Sequence, residues 1–378
     1  MFIKLTARLF VNVHELNNEA SVGTFTDIRK IKLVNSKNEV NEVTAISGNM
    51  LKRYHFVYVK RLLEQMGYDK FCQYCKREES WRLASEDTRL KRPEKKAKKA
   101  SERMKASLES FIESEKNIIT SCAIEDIHGY LSPIQGFPIK RDSRVRFSWL
   151  VPCEDSQEAV VTVLHNRVAK VLEIKPEKPE GEKSSEEEAS VQPEGKKSSE
   201  EKKKEDKEEA VQMMAFYKQY ASAIYAFSSS IDLGRIGVSD YTMKTVEGLK
   251  EDELNARKLA TLKAYMALMQ GETGASLSRA LPIVKPLECL IIASEFPALP
   301  NLVSSYYTDY KEENLKLLKS LENLVTQPIY VIGGPEQAYK NLESAFIHSS
   351  KIKFIEAESS LDAIAKLNDL ILGKQSVS

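Results

Sequence analysis

The chain is poor in the residues that most often mark a catalytic centre. It carries only 5 histidines and 5 cysteines in 378 residues. His14, His55, His128, His165 and His348 are scattered, without the HxxxH or HExxH spacing that sets two imidazoles on one helix face for zinc. No Walker A, Rossmann or G-x-S-x-G fingerprint occurs, which removes the usual phosphate-cradling turns and the nucleophile elbow. A sparse, odd set of cysteines speaks against a disulfide framework and fits a reducing compartment. The pair in Cys72-Gln-Tyr-Cys75 has metal-ligand spacing, but a second CxxC is missing and Cys122, Cys153 and Cys289 stand alone in the sequence. No metal and no cofactor is therefore expected. The first residues lack a charged-then-apolar signal and no apolar run is long enough to cross a bilayer, so the expectation is a cytoplasmic protein without a membrane partner.

One stretch lacks almost everything a core needs. Residues 173–209 contain no aromatic side chain and few apolar ones, with 14 acidic against 9 basic residues. Such text cannot offset the entropy of ordering and reads as a disordered tip. It carries about −5, which leaves the rest of the chain, under an overall +1, at about +6, mildly basic and compatible with nucleic acid. A second charged run, KRPEKKAKKASERMK at 91–105, continues into helical text and reads either as a solvated helix face or as a basic arm.

Around these gaps the periodicities are clear. Residues 2–13 alternate as a strand. Residues 49–66 have helical spacing through Leu51, Phe56, Val59, Leu62, Leu63 and Met66. Residues 144–151 and 159–164 read as strands, and 220–233 alternates and is aromatic. Residues 255–270 read as a helix stopped by Gly271, 283–293 as a buried strand, 328–332 and 352–356 as short strands, and 359–372 as a helix capped by Ser359 or Ser360. Strand–helix–strand repeated twice is the ferredoxin-like plan. The fold class expected is α+β: a ferredoxin-like, RNA-recognition-motif palm with large insertions. The division that follows is residues 1–66 as the first half of the palm, 67–122 as a charged helical insertion, and 123–158 as palm strands with a basic Gly-containing loop. Residues 159–220 then form a hairpin with its tip at 173–209, and 221–378 form the second half of the palm with C-terminal βα elements.

The binding candidates are cations and small residues. Ser47-Gly48-Asn49 opens a helix, whose free N–H groups and positive dipole end suit a phosphate, with Lys52 and Arg53 in the first turn; an ordinary N-cap is the competing reading. Arg29 is the one basic residue of a polar loop after the first strand. The segment 127–146 combines glycines, aromatics, His128 and four basic residues, Lys140, Arg141, Arg144 and Arg146; cations suit a sugar-phosphate backbone and aromatics offer stacking platforms. The Gly/Ser stretch 270–282 carries Arg279. In the hairpin, Met213, Met214, Phe216 and Tyr217 either wedge between bases or neighbours, or pack within the hairpin itself.

The motifs VNVHELNNEASVG, AISGNMLKRYH, EDIHGYL, GFPIKRDSRVRF, SAIYAFSSSIDL and QGETGASLSRALP follow one another as in the backbone subunits of type I-A CRISPR Cascade complexes, the archaeal DevR-like family, which this chain resembles over most of its length. The resemblance implies a binding module that polymerises along a CRISPR RNA as a helical filament, each copy gripping a few nucleotides. A thumb hairpin, here between 159 and 220, then reaches over the RNA of the next copy. It further implies as partners the complementary target DNA strand, a Cas five-type cap, the large and small subunits, and the helicase-nuclease. Two rivals remain at this point. In type III relatives a loop aspartate cleaves target RNA, and Asp27 occupies roughly that loop. The DevR name also suggests a transcriptional autoregulator, although no helix-turn-helix pattern is evident.

Overall fold

A computed structural model describes residues 1–16, 18–22, 25–79, 87–91, 100–132, 138–170, 211–273 and 281–373. The hairpin tip at 173–209, residues 92–99 of the basic run, and Arg279 lie outside the described residues, as do the side chains of Met213 and Met214.

Strand β1 (Phe2–His14) is followed by two small ladders, β2 (Asn18–Val22) with β3 (Phe25–Ile28), and β4 (Lys30–Val34) with β5 (Val40–Thr44). Helix α1 (Gly48–Gln65), the single turn α2 (Gln73–Lys76), the long α3 (Ala100–Ser121) and the short α4 (Ala123–His128) come next. Four short strands, β6 (Tyr130–Ser132), β7 (Ile139–Arg141), β8 (Val145–Phe147) and β9 (Val151–Pro152), lead to β10 (Ala159–Lys170) and β11 (Val211–Asp232). The remainder runs α5 (Glu251–Met269), β12 (Ile283–Ser294), α6 (Tyr310–Leu324), β13 (Ile329–Gly334), α7 (Lys340–Phe346), β14 (Ile352–Glu356) and α8 (Ser360–Ile371).

The heart of the sheet is β12–β1–β11, with β8 and β9 pairing on the far side of β11, all antiparallel. With α1 between β1 and β8 and α5 between β11 and β12, this is the ferredoxin-like order of two interleaved strand–helix–strand units. β13 and β14 extend the sheet beyond β12. Alternation along β1 decides its two faces. Ile3, Leu5, Ala7, Leu9 and Val11 are all buried, in one cluster with Leu51, Val59 and Leu63 of α1, Ala260 and Leu262 of α5, and Ile364 and Leu367 of α8. On the other side of β12–β14, Leu290, Ile292, Ile329, Val331 and Ile352 meet Leu318 and Leu321 of α6 and Leu342 and Phe346 of α7. The even residues of β1 near its start, Lys4 and Thr6, share that second face with Ser228 and Ser230 of β11.

β11 is one unbroken strand of 22 residues, roughly 70 Å of extended chain. Its second half is a central palm strand. Its first half pairs with β10 from Ala159↔Ser222 to Lys170↔Val211.

Three details differ from the sequence reading. Residues 144–151 form two strands rather than one: Ser148 bonds Ser228 through both its amide and its hydroxyl, and Leu150 then leaves the ladder to exchange both backbone hydrogen bonds with Ile46. The polar loop after β1 contains the β2–β3 ladder, and Asp27 lies within strand β3, opposite Ala20, rather than in a loop. Helices α6 and α7 were not anticipated, although α6 sets Asn314, Leu318 and Leu321 inward at helical spacing.

Candidate nucleic-acid interface

Helix α1 begins where it does because Ser47 is extended and its hydroxyl accepts the Met50 amide at 3.3 Å. The cap reading and the anion reading are compatible, since one side-chain acceptor leaves other first-turn amides unclaimed by it. The glycine after the cap is required by packing: a Cβ on Gly48 would stand 2.5 Å from the carbonyl oxygen of Phe147 and 2.9 Å from that of Ser148. That close approach sets the helix start against the end of β8. A groove of about 310 Å³ results, lined by Ser47, Asn49, Lys52, Arg146 and Trp149 among others. Trp149 is 39% exposed, a large aromatic face beside two cations.

A second hollow of about 400 Å³ lies over the sheet face; it also includes Arg146 and Phe147, and adds Lys4, Ser228, Ser230, Asn301 and Ser304. Lys4 donates to the Ser230 hydroxyl at 2.8 Å. Burial lowers its pKa, the neighbouring Arg146 lowers it further, and Asp232 pulls the other way. Two cations held side by side raise each other's energy, and an anion between them relieves it. A third cavity, of about 250 Å³, shares Asn49 and Lys52 and adds Arg53, Phe56 and His128. Burial also lowers the Lys52 pKa, partly offset by Asp142. The Arg53 guanidinium lies 5.1 Å from the Phe56 ring centre, and its Nη1 is buried without a hydrogen-bond partner. Among the described residues Lys52, Arg53, Lys140 and Arg146 make no ion pair.

Other predicted residues point elsewhere. Arg141 is buried completely: it pairs with Glu115 at 3.0 Å and Asp126 at 2.5 Å, and donates to the carbonyls of Asp126, Arg235 and Val238. Arg257 completes this core at 2.7 Å from Asp126, which also accepts the Gly237 amide. Arg144 is buried against Asp240 at 2.5 Å, and burial lowers its pKa. These two arginines bind the insertion helices α3 and α4 to the turn after β11; they do not line the groove. Lys140 is exposed on β7, away from the lining of both grooves. Arg29 is half-buried, with its Nε unpaired.

His128 is buried too. Its Nε2 lies 3.2 Å from His55 Nδ1, and His55 Nε2 lies 2.8 Å from the Thr261 carbonyl. A carbonyl only accepts, so His55 carries its proton on Nε2 and His128 donates to it. Burial holds His55 down to about 4 and His128 well below its ordinary value, so the pair is neutral. His128 Nδ1 is left buried, without a partner.

In the hairpin, Phe216 stacks on His165 directly across the ladder, with centroids 5.3 Å apart, so it packs within the hairpin. Tyr217 is exposed, alongside Val160, Val161, Val163 and Leu164. The hairpin root is fixed by a buried Lys218–Glu15 pair and by Tyr220 bonded to His165 at 2.9 Å.

A model of the family described as "CRISPR-associated negative auto-regulator DevR/Csa2" matches residues 5–315. The chain belongs to the DevR/Csa2 family. It is 31% identical over 335 residues to a protein of Methanocaldococcus jannaschii named "CRISPR-associated protein Cas7/Cst2/DevR", covering 86% of this chain and 90% of that one. A Thermoproteus tenax protein of the same name is 29% identical over 324 residues, covering 84% and 82%. A chain from a structure titled "CRISPR RNA-guided surveillance complex, pre-nicking" overlays with a TM-score of 0.46 at 10% identity, over 98% of this chain and all of that one. On this DevR/Csa2 chain the sequence reading had missed Lys4, Trp149 and the β11 serines. Alternation had the signal: in β1 and β11 the polar even-numbered residues 4, 228 and 230 share the face opposite the apolar core.

Proposed function

We propose that this chain is a guide-RNA-binding backbone subunit of a Cascade-type CRISPR complex. The observation that carries the reading is the pair of hollows, sharing Arg146 and Phe147, that lie at the start of α1 and over the sheet face. Together they hold unpaired Lys52 and Arg146, the Lys4 ammonium and the Trp149 ring, on a chain of the DevR/Csa2 family. Cations with an adjacent aromatic and no base-reading array suit a sugar-phosphate backbone. The exposed apolar strip on one face of the hairpin, Val160, Leu164 and Tyr217, would seat on a second copy of the chain, making a filament along the RNA. Pairing of the guide with a DNA strand, and docking of a cap subunit, large and small subunits and a helicase-nuclease, belong to the same reading.

Purified chain should carry short RNA and bind RNA in a sequence-tolerant, salt-dependent way. A salt-insensitive affinity, or tight preference for one unrelated sequence, would count against it. The protein acts in this reading as a binder and not a nuclease. Incubating the assembled complex with complementary RNA and magnesium or manganese should give no cuts, and Asp27→Ala should change nothing. Regularly spaced cuts that vanish in Asp27→Ala would replace this reading with that of a target-RNA nuclease.

A further inference from the structure

We propose that Cys72, Cys75 and Cys122 form a thiolate site for a borderline-soft divalent metal, zinc being the fitting class. The three sulfurs lie within 4.8 Å of one another, and all three residues are free thiols. Ligands about 2.3 Å from a tetrahedral zinc stand roughly 3.8 Å apart, so small side-chain rotations close the set. The spacing in sequence hides this. The first two come from the start of α2, and the third follows 47 residues later at the junction of α3 and α4. The Ala123 amide, donating to the Lys70 carbonyl at 3.1 Å, brings the two segments together.

Burial of free cysteine as a small apolar residue is the alternative, and the same chain supplies the contrast. Cys153 and Cys289 are buried singly, and neither belongs to a ligand cluster among the described residues. The other three converge sulfur to sulfur. Cys75 and Cys122 are 4% and 0% exposed, whereas Cys72 is half-buried and lines two cavities. An ion therefore has an entry path, and a solvent molecule can take the fourth position. Uptake of the ion displaces the three thiol protons, and the resulting complex has a net charge of −1. Lys52 and Arg53 line one of the two adjoining cavities and can offset that charge, whereas Arg89 in the other is already paired with Asp87 and Glu125. The site would clamp the junction of α3 and α4 to α2, and it stands independently of the RNA reading.

The test uses the full-length chain without a histidine tag, kept reduced. Metal analysis should find about one zinc per chain. After stripping, titration with cobalt(II) should develop thiolate-to-cobalt charge-transfer bands that saturate at one equivalent. Cys72→Ser and Cys122→Ser should each weaken or abolish those bands, whereas Cys153→Ser and Cys289→Ser should keep them. Cys122→Ser alters the core, so the half-buried Cys72→Ser carries the decision, with circular dichroism confirming its fold. A chelator should lower the Tm of the parent chain and leave that of Cys72→Ser unmoved. Cobalt bands that are absent from the folded, reduced parent chain would overturn the proposal. So would bands unchanged in Cys72→Ser, or a Cys72–Cys75 or Cys72–Cys122 disulfide in a chain that takes up no metal once reduced.

Discussion

Arg141 and Arg146 are five residues apart in one basic run, and the fold sends them to opposite ends of the electrostatic scale. Arg141 is sealed among Glu115, Asp126 and three carbonyls, while Arg146 stands in a groove with no carboxylate partner among the described residues. Arg144 follows the first pattern, whereas Lys140 is exposed on β7 and lines neither groove. A charge taken from water is tolerated only with full compensation, and a compensated charge is unavailable to a ligand. The cations that bind are therefore those the fold leaves unpaired, and the count of basic residues in a segment says little about its affinity for nucleic acid.

The contrast can be broken from the buried side, where the effect is largest. Arg141→Ala leaves Asp126 and Glu115 buried with lost partners and should destabilise the chain by about 3–5 kcal/mol. Denaturant unfolding would show it, and RNA binding would fall only in step with the folded fraction. An unfolding midpoint equal to the parent's, with weakened RNA binding, would reverse the assignment of Arg141.

A second measure of the buried side is pH. His14 and His55 are both held near 4 by burial, below the ordinary 6.5. Above pH 6.5 both states are neutral and their contribution is complete. As pH falls from there towards 4 the unfolded chain takes up protons that the fold refuses. Each histidine then removes about 1.4 kcal/mol per pH unit. Stability measured between about pH 7 and 5 should decline accordingly, and His55→Gln should flatten the slope. An equal slope in that variant removes His55 from the account.

From the exposed side the expected signature is different. Arg146→Ala should leave stability within about 0.5 kcal/mol of the parent. It should weaken binding to all RNA sequences alike and reduce the slope of log affinity against log salt by about 0.7, as for one lost single-strand phosphate contact. Fluorescence anisotropy across a salt series reads both. An unchanged slope would mean that the groove is not the RNA path.

The smallest effect is expected where the chain has least apolar text. Replacing 183–208 by a short Gly-Ser turn should preserve folding, RNA binding and assembly, because loop closure entropy changes slowly with length. Altering Tyr217, which is exposed beside Leu164, should shorten filaments in light scattering. Tip deletion that abolishes assembly while Tyr217→Ala leaves it intact would move the docking surface to the tip.

Local pattern carried the palm. Alternation in β1 and β11, helical spacing in α1, α5 and α8, and a cap at Ser359 or Ser360 were all readable in one dimension, and the structure selects Ser359, whose hydroxyl accepts the Asp362 amide at 3.1 Å. The start of α1 was readable for the same reason, since Ser47 and Gly48 act through adjacent backbone. What could not be read were properties of pairs distant in sequence. Arg141 meets a carboxylate 26 residues before it, His128 meets an imidazole 73 residues away, and Cys122 closes on a CxxC that looked solitary. The sequence alone determined where strands and helices form and which of their faces are apolar, because those follow from neighbours a few residues apart. Only the tertiary structure decided which charges are neutralised and which face a ligand, because Coulomb and desolvation energies depend on distances that packing sets.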